Sequence, residues 1–389
     1  MASRFPLPPR RGDQARAFHQ LRLLGGRHRI TLVCPPGPPE ERARLRDFCE
    51  ELVEAPLRPL SRLAGLLTAA VTGRPFQAGL FADAATARLL GRACRRARPD
   101  VVHVQLVRKA PLLAGLRDVP RVADLVDALS LNLERRAARS GPLGRWLARL
   151  EARRLRESER EICRAFDRVT VTAPADREAI GDFPGLVVNG NGVDLERFPF
   201  RDEPLPAPVL VFTGNLGYFP AVDAVSWLAR EVLPRVARDV PAVRLSLVGT
   251  RPPRTVRALA HPPGITLAGP VDDVGSHIRS ARVALAPMRA GSGQLLKVLE
   301  AMASGVPVVA TSLACSGIDA EPERHLLVAD DADGFSRQVV RLLRDAPLCR
   351  RLGAEARRLV EGAYTWEAST GGLEAVWRAA AESHASPAP

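Results

Sequence analysis

The stretch from Arg289 to Ser312 constrains the fold of this chain more than any other. An apolar run at 283–288 leads into it, with the length and β-branching of a buried strand. A glycine-flanked turn, Gly291-Ser292-Gly293, comes next, and then Leu295, Leu296, Leu299 and Met302 follow at helical spacing. Gly305 and Pro307 stop the helix, and a second apolar run at 306–311 closes the unit. A glycine loop at a helix start lets backbone N–H groups approach a phosphate closely, and the helix dipole favours the negative charge. Lys297 and Glu300 lie three apart and share a helix face beside the turn. The lysine can reach a phosphate and the glutamate can accept from a ribose hydroxyl. That pair suits a nucleotide diphosphate.

The rest of the chain repeats the alternation of strand and helix. A turn signal at Gly12-Asp13 opens a helix over 14–24, and a strand is predicted at 30–34. A parallel sheet needs a strand before that helix, yet only a handful of residues precede Pro6. The expectation is that the first, central strand is missing and that the start is internal. Strands follow at 52–57, at 101–106 with His103, at 121–126 ending in Asp127, and at 169–172 and 186–188. Helices at 60–71, 83–98 and 135–164 separate them, which makes residues 1–190 one domain. The proline-rich segment 191–208 reads as a linker. Residues 209–365 then form a second domain, with strands at 209–213, 243–248, 265–267, 283–288, 306–311 and 326–329. Its helices fall at 222–236, 274–281, 335–343 and 348–360. The terminal segment 366–389 is helical over 366–381, with 383–389 frayed. The fold class is α/β: two Rossmann-like, doubly wound domains whose strand C-termini face across a cleft.

Charge narrows the partners. The formal net charge is +13, but Lys109 and Lys297 are the only lysines and the arginines are spread along the whole chain. Nucleic-acid binders concentrate charge in one element and interleave aromatics; with 5% aromatic residues and dispersed arginine, this chain does not. The basic helix at 135–164 carries Leu143, Trp146, Leu147, Leu150 and Leu155 at helical spacing. It reads first as a solvated helix packing that stripe into the core. The alternative is a peripheral contact with an anionic membrane surface. The six cysteines include no C-x-x-C pair and no histidine at zinc spacing, so no metal site is expected and a reducing compartment is. Without a signal peptide or spanning segment, the expected location is the cytoplasm, at the inner face of the membrane.

With its motifs placed, the chain resembles the GT-B glycosyltransferases, and among them the retaining family four that includes sugar transferases of exopolysaccharide clusters. Four segments carry the resemblance: Pro8-Pro-Arg-Arg-Gly-Asp-Gln-Ala-Arg16, Asn191-Gly-Val-Asp-Leu-Glu-Arg-Phe198, Val211-Phe-Thr-Gly-Asn215 and Lys297-Val-Leu-Glu-Ala-Met-Ala-Ser-Gly-Val-Pro-Val-Val-Ala-Thr311. The resemblance implies a nucleotide-sugar donor bound by Gly214, Asn215, the loop Gly291, Ser292 and Gly293, and Glu300 on the ribose. The first acid of the family's paired motif would fall where this chain has Ser292. The Arg and Lys that often hold the diphosphate are absent from Gly214-Asn-Leu-Gly-Tyr-Phe-Pro220, so Lys297 is the candidate cation, helped by Arg289. Gly12 and Asp13 match the first domain's glycine loop toward donor and acceptor. Asp127, His103 and Lys297 are the candidate catalytic groups, the first two to orient an acceptor hydroxyl. The terminal helix with Trp366 would cross back to the first domain. No cofactor is implied beyond the donor, and the acceptor is a glycan or a lipid-linked sugar.

Plainer readings stand beside these. Asp13 also reads as the N-cap of the first helix, His103 as a core histidine, and Asp127 as a turn cap. For the whole chain, the rivals are a nucleotide-sugar epimerase and a degenerate nucleotide-binding or scaffold subunit.

Overall fold

In a computed structural model describing residues 1–56, 59–81, 83–261 and 264–385, the chain forms two α/β units. One contains Met1–Gly190 together with the segment from Trp366 onward; the other is Asn191–Thr365. Leu57, where the second strand was predicted to end, and the last four residues of the frayed tail lie outside the described residues.

The first unit holds β1 (Thr31–Cys34), β2 (Glu51–Glu54), β3 (Val102–Gln105), β4 (Arg121–Val126), β5 (Arg168–Val171) and β6 (Leu186–Val188). β1 pairs with β2, and β3 to β6 form a parallel sheet in sequence order. Between β1 and β3, where a first strand would stand, lie the first two residues. The Ala2 N–H donates to Val33 O and the Gln105 N–H donates to Met1 O, each at 2.9 Å. The helix Trp366–Ala385 lies on β4 and β5, with Val376 and Ala380 packed on Val122.

The second unit carries β7 (Val209–Asn215), β8 (Arg244–Thr250), β9 (Ile265–Gly269), β10 (Val283–Ala286), β11 (Val308–Ala310) and β12 (Leu327–Val328). Their order is β12-β11-β10-β7-β8-β9, and every pairing is parallel. Val-rich strands buried on both faces are what helices on either side of a parallel sheet require; β10 and β11 have no exposed residue. Because the chain runs outward from β7 in one direction and resumes at β10 in the other, the switch point lies between β7 and β10.

Four expectations need correction. The basic stretch is two helices, Leu129–Ala137 and Pro142–Ala165, because Gly141 and a proline at the first helical position restart the chain there. Its apolar stripe is not packed into the core: Leu155 is buried, but Leu143, Trp146 and Leu147 are exposed. The start of the supposed linker is core. Val193 and Phe198 are buried with the second unit's strands, and Val193 bridges to Thr365. The helix expected at 222–236 runs from Phe219 to Asp239 with a π-turn at Leu228–Val232, one residue wider just ahead of Pro234, whose missing N–H cannot serve a regular turn.

Candidate functional site

At the switch point of the second unit, two loops leave neighbouring strand ends. Gly214, next to last in β7, has φ +146°, a conformation that side chains with a Cβ rarely take. Asn215 then turns the chain by accepting the Gly217 N–H through Oδ1 at 3.2 Å. From β10 the chain passes Met288 and Arg289 into Gly291 (φ +123°), Ser292 and Gly293 (φ +74°), the two glycines supplying the positive φ that the loop needs. The helix Leu296–Ala303 starts after two more residues, so its first turn lies beside the loop.

Lys297 is in the first turn of that helix. Its Nζ stands 3.9 Å from the centroid of the Phe212 ring and 3.9 Å from Met288 Sδ. It comes so near Gly214 that a Cβ there would lie 3.0 Å from it. Burial pulls the Lys297 pKa down to about 7, with Glu300 the opposing influence. Glu300, one turn on, is pushed up by burial and drawn back by Arg197 and Lys297. A lysine held by an aromatic face and a thioether is a cation kept at an energetic cost, which an anionic ligand would relieve.

Arg289 is placed differently from the helper cation expected of it. Its Nε and Nη2 donate to both carboxylate oxygens of Asp223, at 3.1 and 2.9 Å, and its guanidinium lies 5.0 Å over Trp227. That fork and stack make it a brace for the loop. Two partners escaped the sequence reading. Gln294 Oε1 accepts the Asn191 N–H at 2.6 Å while its Nε2 donates to Gly317 O at 2.9 Å, latching the loop's end to the supposed linker. Arg197 supplies the positive field at Glu300. The signal for both lay in the Asn191–Phe198 motif, which carries the family resemblance but falls in the stretch read as a linker.

The first unit gathers a second group at the C-terminal ends of β3 and β4. Gly12 opens the helix Gly12–Leu24, but the N-cap is Arg11, without a side-chain cap, which corrects the reading of Asp13 as the cap. Asp13 sits in the first turn, paired with Arg4, and its carbonyl accepts from Gln105 Nε2 at 2.9 Å. Asp127 follows β4 through Val126, held at φ +68°. That turn is fastened from beneath. Asp124 accepts from Arg16 Nε at 2.6 Å, from Thr170 Oγ1 at 3.0 Å and from the Val126 N–H at 3.2 Å. Burial would raise Asp124, yet the Arg16 charge and the hydrogen bonds from Arg16 and Thr170 keep it below the usual range. Arg108, which sequence reasoning passed over, lies 4.9 Å over Phe81 amid the charges of Arg4, Asp13, Asp127 and Arg11; burial lowers its pKa to about 10.

His103 is not with them. It lies inside β3 under the terminal helix, where Trp377 Nε1 donates to its Nδ1 at 3.0 Å. Burial lowers its pKa to about 4, with Asp124 opposing. With Nδ1 accepting, the ring is neutral and its proton is on Nε2, which has no partner among the described residues. This is a core histidine, and the acceptor-orienting role expected of it is corrected.

Comparison with known proteins follows the same division. The family described as Glycosyltransferase Family 4 matches residues 14–197, and that described as Glycosyl transferases group 1 matches residues 207–345. A D-inositol 3-phosphate glycosyltransferase of Geodermatophilus obscurus is 29% identical over 258 residues, 58% of this chain and 55% of the relative. A phosphatidyl-myo-inositol mannosyltransferase of Mycobacterium leprae is 33% identical over 220 residues, 53% and 56% of the two chains. The chain thus spans about half the length of the curated relatives it matches. Among solved structures, sucrose-phosphate synthase from Thermosynechococcus elongatus covers 97% of both chains with a TM-score of 0.73 at 16% identity. Anabaena Alr3699/HepE in complex with UDP-glucose covers 93% of this chain and 95% of its own, with a TM-score of 0.67 at 12% identity. These two likenesses speak for the fold. The two family matches show that the chain belongs to the family 4 glycosyltransferases, and these likenesses give it the GT-B fold of two Rossmann-like domains.

Proposed function

We propose that this protein transfers a sugar, with retention, from a nucleotide-diphosphate sugar to a glycan or lipid-linked acceptor in the synthesis of exopolysaccharide or another cell-surface glycan. The observation that carries the reading is the placement of Lys297 and Glu300 on one helix start at the β7–β10 switch point, beside a positive-φ glycine loop. Lys297 and the loop's N–H groups would hold the diphosphate and Glu300 the ribose hydroxyls. As the acceptor oxygen attacks the anomeric carbon, the bond to the diphosphate breaks and charge builds on the leaving oxygen, where a lysine and a helix N-terminus stabilise it. The leaving diphosphate takes the acceptor's proton. Asp127, with Arg108 beside it, is the first unit's group for orienting the acceptor.

The test is transfer and donor hydrolysis with a panel of UDP-, GDP- and ADP-sugars. Inositol and inositol-lipid acceptors belong in it, because the curated relatives carry those names. Turnover with one donor that Glu300→Gln lowers at least tenfold supports the reading, since losing a hydrogen bond to a charged group costs about 1.5–3 kcal/mol. A second reading, a nucleotide-binding subunit without turnover, is favoured by Ser292 standing where the family's first acid is expected. Tight binding of a nucleotide diphosphate with no transfer to any acceptor would select it.

A further inference from the structure

The chain has two lysines among its 56 lysines and arginines, and both stand over phenylalanine rings. Lys297 does so at the glycine loop of the second unit. Lys109 does so in the first unit, where its Nζ is 5.4 Å from the centroid of Phe81, the last residue of the helix Phe76–Phe81. The guanidinium of Arg108 lies 4.9 Å from the same centroid. Lys109 is 1% exposed, and the Nε of Arg108 is buried without an acceptor. Among the described residues, neither side chain makes a hydrogen bond or an ion pair. One aromatic ring offsets part of a buried charge but cannot satisfy the donors of two cations.

The surrounding charge does not neutralise this pair. The positive charges bearing on it are Arg4, Arg11 and Arg62, and the negative ones are Asp13, Asp83 and Asp127, so the two sets cancel in number. Two of the acids are already engaged. Asp13 pairs with Arg4. Asp83 caps the helix Ala84–Ala97, accepting from the Ala85 and Thr86 N–H groups at 3.2 and 3.3 Å and from Thr86 Oγ1 at 2.8 Å. Burial accordingly lowers Arg108 to about 10 and Lys109 to about 8. The backbone nevertheless fixes both in place. Beyond the end of β3, Leu106 takes φ +73°, and the Lys109 N–H closes the turn on Leu106 O at 3.0 Å. Val107, Ala110 and Leu113 are buried around it. A leucine held in the left-handed region is strained, and packing that enforces such strain beneath two unpaired cations marks a ligand site. A guanidinium fork beside a compact ammonium suits a phosphate, which has oxygens for both.

We infer that Arg108 and Lys109 form an anion subsite in the first unit that takes the phosphate of a phosphorylated acceptor. The word acceptor rests on the sugar-transfer reading, whereas the subsite itself is tested by binding. Full-length protein isotope-labelled at lysine Cε gives one magnetic resonance signal for each of its two lysines, assigned by the signal lost in Lys297→Met. Glycerol phosphate, dimethyl phosphate and inorganic phosphate are added in turn, as monoester, diester and free ion, with glucuronate as the carboxylate. At least one ester is expected to move the Lys109 signal, equally in the parent and in Lys297→Met, and to raise its titration midpoint by about one pH unit or more. Arg108→Gln is expected to weaken ester binding about tenfold or more, and Arg108→Lys to restore part of it. Circular dichroism checks that the variants fold, and the parent's own spectrum carries the test if one does not. A Lys109 signal that no phosphate moves, or that chloride at equal ionic strength moves as far, would overturn the inference. So would ester binding unchanged in folded Arg108→Gln, or free phosphate or glucuronate binding more tightly than either ester. Ester binding at Lys109 without sugar transfer to any acceptor keeps the subsite and removes the sugar-transfer reading. Transfer to neutral acceptors with Lys109 unmoved keeps that reading and removes the subsite.

Discussion

Lys297 stands out in this chain by what its burial costs. An ammonium ordinarily titrates near 10.5, and here burial brings it to about 7. Between those values the unfolded chain binds more protons than the folded one, so this group's contribution to stability rises with pH from about 7 to 10.5 and is least below 7. Lys297→Met, which keeps the length and discards the charge, should therefore be more stable than the parent at pH 7, with the gain vanishing toward pH 10. Urea unfolding at pH 7 and 9.5 measures it, and a less stable variant at pH 7 would refute the account. A diphosphate reverses the balance by favouring the protonated amine. Binding of UDP above pH 7 should take up close to one proton, seen by calorimetry in buffers of different ionisation enthalpy, and affinity should fall as pH rises from 7 to 9. In the methionine variant the uptake should disappear and any turnover should drop by about 3 kcal/mol, as for other lost transition-state donors. The spacing of Lys297 and Glu300 was legible in the sequence. The phenylalanine under the lysine was not, because Phe212 comes from a strand 85 positions earlier and only the β7–β10 pairing brings the two together.

Among the elements, β7 and β8 carry the tightest constraint. Gly214 and Gly249 are register partners at the ends of these strands, and a Cβ on Gly249 would lie 1.8 Å from Gly214 O. Backbone cannot move aside as a flexible side chain does, so Gly249→Ala should destabilise the second unit by about 1–3 kcal/mol or more. Gly214→Ala meets only the mobile end of Lys297, but its φ of +146° adds strain of about 1–3 kcal/mol. The two variants should part company in thermal melts with and without UDP. Gly249→Ala lowers the melting temperature with ligand affinity largely kept, whereas Gly214→Ala also weakens binding through Lys297. Equal effects on both readouts would show that the strand ends yield more easily than this geometry implies. Strand positions such as β4 and β6 were readable from runs of valine and leucine. The direction of helix faces was less so, because periodicity locates a stripe without saying whether protein or solvent lies against it. The exposed Leu143, Trp146 and Leu147 are the instance. His103 failed for a related reason: a histidine in a strand looks the same whether it points at a ligand or at Trp377, which lies 274 residues away.

For the molecule as a whole, chain order and folding unit disagree, and that disagreement is testable. The helix Trp366–Ala385 is the end of the chain yet belongs to the first unit. Trp366 stacks on His19 at 4.7 Å, Trp377 bonds His103, Glu374 pairs with Arg27 and His28 at 2.7 Å, and Ser369 Oγ donates to Gly190 O at 2.6 Å. Leu373, Val376 and Ala380 are buried, the last two on Val122 of β4. Burying side chains the size of Leu373 and Val376 contributes roughly 1.5–3 kcal/mol each, so removing the helix takes away several kcal/mol from a unit whose net stability is of order 5–15 kcal/mol. The second unit's core lies within its own residues, and the Val193–Thr365 bridge ties its two ends together. A chain ended at Thr365 should thus lose the first unit and keep the second. Limited proteolysis read by mass spectrometry should leave a protected fragment running from near Asn191 to Thr365, where the full chain protects both units. That fragment should still bind UDP, since Lys297, Glu300, Gly214 and the 291–293 loop all lie inside it. Protection of residues 1–190 in the shortened chain would mean that the first unit's own sheet suffices, and that the terminal helix is an attachment to a fold already complete.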